Sequence, residues 1–147
     1  PAIASWPSVI PSSTEISLLT MTCDVMPTLL SIADVGRDGH QPLDGTNLTP
    51  WLTDPSRAAE ALSERALFWN GTAMRQGPWK LIQTKGTPAP RYQLFNLKQD
   101  LSETQDLATQ YPKRVDSMRR ALTHWKTDME QTRTSQPSHN VEQPSKR

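Results

Sequence analysis

The clearest patterning of apolar and polar positions lies between Ala66 and Leu97, where short runs of strand character alternate with turn residues. Asn70-Gly71, set between Trp69 and Thr72, predicts a two-residue type I′ hairpin, because both central residues of that turn need positive φ. Gly77-Pro78 predicts the next reversal, and residues 85–90 a looser connection into a strand around Tyr92 to Leu97. The expectation is an antiparallel meander of four strands. In its first hairpin Leu67, Trp69 and Met74 fall on one face and Phe68 and Ala73 on the other, so both faces carry bulk. A helix is predicted over Pro112 to Glu130, where Val115, Met118, Leu122, Trp125 and Met129 step by three and four. That stripe suits one sheet face, and the second face needs another partner.

The N-terminal part follows a different pattern. Ala2 to Trp6 is a short apolar run bounded by prolines, which predicts a buried strand of a larger parallel sheet. Such a strand needs neighbours, and no βα repeats follow to supply them, so the expectation is a piece whose partner strands lie upstream. Thr22 to Ala33 predicts a helix, with Thr22 as N-cap, Asp24 in the first turn and Val25, Leu29, Ile32 and Ala33 apolar. Pro27 is tolerable only near its start. Gly36 and Gly39 are expected to end it, Leu43-Asp44-Gly45 to turn, and a short helix to follow at about Leu48 to Leu52, capped by Asn47. Beyond Gln131 periodicity is lost, and TSQPSHNVEQPSKR has the composition of a disordered tail.

Composition narrows the classes. The 147 residues suffice for one ordinary domain, less a tail that cannot build core. A net charge of +1 gives no general pull toward nucleic acid. The basic residues Lys113, Arg114, Arg119, Arg120 and Lys126 alternate with Asp116, Asp128 and Glu130, the pattern of a solvated helix face. No apolar run approaches the roughly 18 to 20 residues that span a bilayer, so neither a nucleic-acid nor a membrane partner is expected. A single cysteine forms no internal disulfide and does not identify a compartment. Pro1 to Ile10 shows no charged region followed by an apolar one, the mark of a leader.

Two blocks carry a specific likeness: A-x-R-x-G-x-W-K-L from Ala73 to Leu81, and LFNLKQDLSETQDLA from Leu94 to Ala108. Together with PAIASWP at Pro1 to Pro7, CDVMPTLLSIAD at Cys23 to Asp34 and PLDGTNLTPWL at Pro42 to Leu52, in that order, the chain resembles the C-terminal region of the sulfatase family. The resemblance runs from Pro1 to about Ala108. It implies an α/β plus α+β architecture: residues 1–65 as the C-terminal end of an alkaline-phosphatase-like α/β domain, and residues 66–131 as a small subdomain of four antiparallel strands and one packed helix. The disordered tail would then be residues 132–147.

The resemblance also implies what the parent reaction needs. This is hydrolysis of a sulfate ester by a formylglycine matured from a C/S-x-P-x-R motif, with calcium held by Asp and Asn side chains, all of it upstream of PAIASWP. The partners so implied are an N-terminal catalytic domain and a sulfate-ester substrate, in a parent that is commonly exported or lysosomal. A rival expectation is a non-catalytic module, a pseudoenzyme remnant or binding domain that reuses this tail.

A direct search finds no nucleophile motif. Cys23-Asp24-Val25-Met26-Pro27 has its proline too far along and no Arg, while Thr53-Asp54-Pro55-Ser56-Arg57 has the spacing but a threonine that cannot become the aldehyde. Ser5-Trp6-Pro7 and Ser135-Gln136-Pro137 lack the Arg. No residue is therefore assigned a catalytic role. Asp34, Asp38 and Asp44 sit in a loop that opens like a calcium loop, but Gly36 and Gly45 fall where oxygen ligands belong, and His40, His124 and His139 have no ligand spacing. The chain is expected to bind no metal or other cofactor itself. Asn47-Leu48-Thr49 and Asn70-Gly71-Thr72 are formal glycosylation sequons, each with an asparagine that already has a structural job. Within the sulfatase reading, Trp69 and Asn70 at the hairpin tip are the candidates for a substrate rim, Arg75 and Trp79 for interdomain packing, and Lys80 is a strand-face charge.

Overall fold

A computed structural model describes residues 2–36, 43–57 and 64–135. A 3-10 turn at Thr22–Asp24 leads into α1 (Val25–Ile32), and α2 (Thr49–Thr53) into a second 3-10 turn at Pro55–Arg57. Four strands follow, β1 (Ala66–Trp69), β2 (Ala73–Gln76), β3 (Trp79–Thr84) and β4 (Arg91–Asn96), then α3 (Pro112–Ser135). The chain divides into two compact units, Pro1–Leu67 with Arg75–Pro78, and Phe68–Met74 with Trp79–Arg147.

The strands form one sheet in the order β1-β2-β3-β4, the meander expected from the turn signals. The first turn is set by Asn70-Gly71. Asn70 has φ +49° and Gly71 φ +65°, and the Thr72 N–H donates to the Trp69 carbonyl at 3.0 Å, which closes the two-residue turn. A side chain on Gly71 would find space beside Lys126 but would have to hold the left-handed backbone that glycine adopts freely. Gly71→Ala is expected to cost about 1 to 2 kcal/mol through the left-handed φ alone. The check is a thermal melt, and an unchanged midpoint would refute this account of the turn.

In the second unit β3 and β4 are antiparallel with Leu81 opposite Leu94, both fully buried. α3 packs on this pair. Met74, Phe95, Met118 and Leu122 complete the buried set of this unit, and Phe68 stacks on Trp125 with ring centroids 5.0 Å apart. The predicted helix stripe thus holds for Met118, Leu122 and Trp125. Met129, at 40% exposure, is the exception, and the helix runs to Ser135, past the Glu130 end that periodicity set. The rest of the predicted tail, residues 136–147, lies outside the described residues.

The first unit departs further from expectation. Ala2 to Trp6 is not a strand: it joins no sheet among the described residues, the Trp6 carbonyl accepts from the Val9 and Ile10 amides of the turn that follows, and Ile3 is 99% exposed. An apolar run becomes a strand only where neighbouring strands accept its backbone hydrogen bonds. Thr22 does not act as the N-cap. Met21 holds that position, and the carboxylate of Asp24 reaches back to its N–H at 2.7 Å, the return half of a capping box.

α1 also ends without its predicted glycine. Asp34 takes the left-handed φ of +51°, and Asp34 and Val35 donate to the carbonyls of Ser31 and Leu30, a Schellman closure. Gly39, Asp38 and His40 lie outside the described residues. Asn47 is not the N-cap of α2 either: Leu48 holds that position without a side-chain cap, and Asn47, one residue earlier, turns the chain into the helix with its Oδ1 accepting from the Thr49 N–H at 2.9 Å.

Candidate functional site

The most elaborate polar arrangement of the first unit centres on Asp24, which is completely buried. Its carboxylate accepts from the backbone N–H groups of Met21 and Thr46, at 2.7 and 2.8 Å, and from both ends of the Arg65 guanidinium, at 2.8 and 2.6 Å. Burial pushes the carboxyl up, but the Arg65 hydrogen bonds and the two N–H donors outweigh it and hold it below the usual carboxylate range. Arg65 is raised in return, chiefly by its hydrogen bonds to Asp24. One turn on, Thr28 Oγ1 donates to the Asp24 carbonyl and accepts from the Leu48 N–H. Gly45 completes the join, since a Cβ there would sit inside the Cys23 carbonyl. Every lone pair of Asp24 that faces the protein is committed to holding three chain segments together. It is a structural node with no room for a substrate.

The second unit has its own node in the loop between β4 and α3. Asp106 Oδ1 accepts from the N–H groups of Leu94 and Ala108, and the Leu107 N–H donates to the Leu94 carbonyl at 2.7 Å. Asp100 accepts from the Gln105 N–H and the Thr104 hydroxyl, and these bonds, the Gln105 amide first, hold its carboxyl below the ordinary range. Glu103, at φ +56°, pairs with Lys80 at 2.6 Å. Asp106 and Glu103 therefore pin the loop of the LFNLKQDLSETQDLA block to β4 and β3, and Asp100 braces the loop from within. Lys80, expected as a simple strand-face charge, is half of one of these pins.

Of the four candidates named from sequence, Trp69 and Asn70 are neighbours at the hairpin tip, Trp69 half-buried and Asn70 exposed. Arg75 folds onto its own turn, its Nε donating to the Gly77 carbonyl at 3.0 Å. Trp79 is engaged within its unit: Tyr111 lies 5.0 Å away, tilted by 57°, and the Arg114 guanidinium carbon sits 4.8 Å over the ring. Tyr111, just before the helix, carried no sequence signal, and Arg114, read from sequence as part of a solvated helix face, instead lies over the Trp79 ring.

No protein-family model matches the chain. Solved structures do. Ps i-CgsB matches over 82% of this chain with a TM-score of 0.67 and 25% identity. A Bacteroides fragilis protein named as a sulfatase, yidJ, matches over 82% with a TM-score of 0.65 and 18% identity. The chain has the fold of a sulfatase segment. It spans 27% of the Ps i-CgsB chain and 28% of yidJ, about a quarter of each. A third match, BT4656, was solved with its substrate D-glucosamine-2-N,6-O-disulfate. It has a TM-score of 0.58 and 19% identity over 92% of this chain and 29% of its own.

In this fold the near-misses to a nucleophile motif have local structural roles. The Thr53 hydroxyl donates to the Thr49 carbonyl inside α2, and Asp54 accepts from the Ser56 amide and hydroxyl as the following turn begins. The Cys23 thiol faces Asp24 Oδ1 at 3.8 Å, with no proline or arginine in the motif positions. The described residues contain no cluster of three or more His, Cys, Asp or Glu side chains able to hold a metal ion.

Proposed function

We propose that this chain is the C-terminal part of a sulfatase, an enzyme that hydrolyses sulfate esters. In this reading the segment is structural, Trp69 and Asn70 help to rim the substrate cleft, and the partner is an N-terminal catalytic domain. The observation that carries the proposal is the match of most of this chain to about a quarter of a longer enzyme fold, in a sequence with no C/S-x-P-x-R motif. Formylglycine and calcium would belong to the catalytic domain. Among the described residues no three His, Cys, Asp or Glu side chains, Asp34 and Asp44 included, come together to hold a metal ion, and Asp24, Asp100 and Asp106 are taken by Arg65 and by backbone amides, so no step is assigned to them. A sulfated sugar is the substrate class we favour, because BT4656 acts on one.

The experiment has two arms. The purified chain, given an aryl sulfate and calcium, is expected to show no turnover above a no-enzyme control, whereas the longer product of the same reading frame hydrolyses sulfate esters. In that longer product Trp69→Ala is expected to raise KM about tenfold with kcat kept, the mark of about 1.4 kcal/mol of lost uniform binding. Turnover by the chain alone would overturn the structural reading. An unchanged KM would remove Trp69 from the rim.

A further inference from the structure

The hairpin tip carries a reactive pair whose fate the turn controls. Asn70 is exposed and is followed by Gly71, which has no side chain to shield its backbone nitrogen. Once base has taken its proton, that nitrogen can bond to Asn70 Cγ. The Cγ–Nδ2 bond then breaks, and the side-chain nitrogen takes up a proton and leaves as ammonia, the reaction that makes asparagine a thermolabile residue. Water opens the resulting succinimide ring, at Cγ to give aspartate or, more often, at the main-chain carbonyl to give isoaspartate. Water is the one co-reactant, and nothing is oxidised or reduced. The other described asparagines are held against this reaction. Asn47 has its Oδ1 on the Thr49 N–H and its Nδ2 on Ser31 Oγ, Asn96 has its Oδ1 on the Lys98 N–H, and a leucine follows each. The Asn70 side chain makes no hydrogen bond among the described residues.

We infer that Asn70 is a self-modification site, converted to isoaspartate when the hairpin tip opens, and that the product cannot rebuild the turn. In a type I′ turn the nitrogen of the second central residue points away from the side chain of the first, so attack waits for the turn to open. Little holds it shut. The turn is closed by the Thr72 N–H on the Trp69 carbonyl at 3.0 Å, at the end of β1, a four-residue edge strand with β2 as its one neighbour among the described residues. Such edges open locally at far lower cost than core strands. Isoaspartate carries the main chain through Cβ and Cγ, and the added methylene spoils the two-residue spacing that the turn requires. β1 then loses its register with β2, and Phe68, two residues before Asn70, is drawn off the Trp125 ring on which it stacks. The site does not depend on the function proposed above.

Peptide mapping of the purified chain, held at mildly alkaline pH, reads this directly. Asn70 should convert, mainly to isoaspartate, about tenfold faster than Asn47 or Asn96, and about tenfold faster again once urea has unfolded the chain. As isoaspartate accumulates, the melting midpoint should fall and tryptophan emission should shift to the red. Asn70→Gly keeps a residue pair suited to the type I′ turn but removes the amide, so this variant should melt with the fresh parent and show no drift on storage. An Asn70 that stays intact in the folded chain, or converts no faster than Asn47 and Asn96, overturns the site. Equal rates with and without urea would mean that the turn does not control the attack. A parent that converts without drift, or an Asn70→Gly chain that drifts alike, overturns the loss of β1.

Discussion

The Asp24→Ala variant is expected to lose about 3 to 5 kcal/mol of stability, a large share of what a domain of this size possesses. The magnitude follows from what the substitution strands. Arg65, only 13% exposed at its side chain, would keep its charge without a partner, and the Met21 and Thr46 amides would lose their acceptor. Replacing both members, Asp24→Leu with Arg65→Met, should cost less than the single change, since it removes the burden of desolvating an unpaired ion. Calorimetry on the three proteins checks the order. A single variant within about 0.5 kcal/mol of the parent would show that the node bears no load.

The same node sets an acid limit. The Asp24 carboxyl is depressed in the folded state, so its contribution is complete above the unfolded value of about 3.9 and is lost as the pH falls through the lower folded value. The stability gap between the parent and Asp24→Ala should therefore be wide at pH 6, narrow progressively below about pH 5, and be smallest below both pKa values. A gap that stays constant to pH 2 would mean that the ionised carboxylate is not what Asp24 contributes.

What was legible in the sequence was local. The Asn70-Gly71 turn, the strands around it and the Met118, Leu122 and Trp125 stripe are each set by residues within four or so positions of one another, where turn chemistry and helical periodicity act. Asp24 shows the limit of such reading. Its position just ahead of α1 suggested a charge on a helix dipole, but its decisive partners lie 22 and 41 positions away at Thr46 and Arg65, and no short window contains them. Ala2 to Trp6 fails for a related reason, because a strand is a property of a pair and its apolar run says nothing of whether a neighbour exists. The hairpin tip could be located from the turn alone, but the pins that Asp100, Glu103 and Asp106 make could not, since a loop acid that caps a backbone amide and one that meets solvent look alike in sequence.

Leu122→Asp is expected to release α3 from the sheet. Leu122 is 1% exposed beside Met118 at 2%, so truncation by itself would cost about 2 to 5 kcal/mol, and a carboxylate with no partner in that apolar setting adds a desolvation penalty of further kcal/mol. Beyond this buried pair the helix is held by the Phe68 and Trp125 stack and by Arg114 over Trp79. Its Arg119 and Arg120 pairs with Asp116 are internal to the helix and exposed, so they do not tie it to the sheet, and the Lys126 bond to Gln83 is a single polar contact. Release should break the Phe68 and Trp125 stack and expose Trp125 to water, seen as a red shift in tryptophan emission together with a lower melting midpoint. Met129→Asp, on the same helix but at 40% exposure, should stay within about 0.5 kcal/mol of the parent. If both variants melt with the parent, the packing of α3 on β3 and β4 is not what stabilises the second unit. If both fall equally, the loss stems from helix propensity and charge, and the buried stripe has no special part in it.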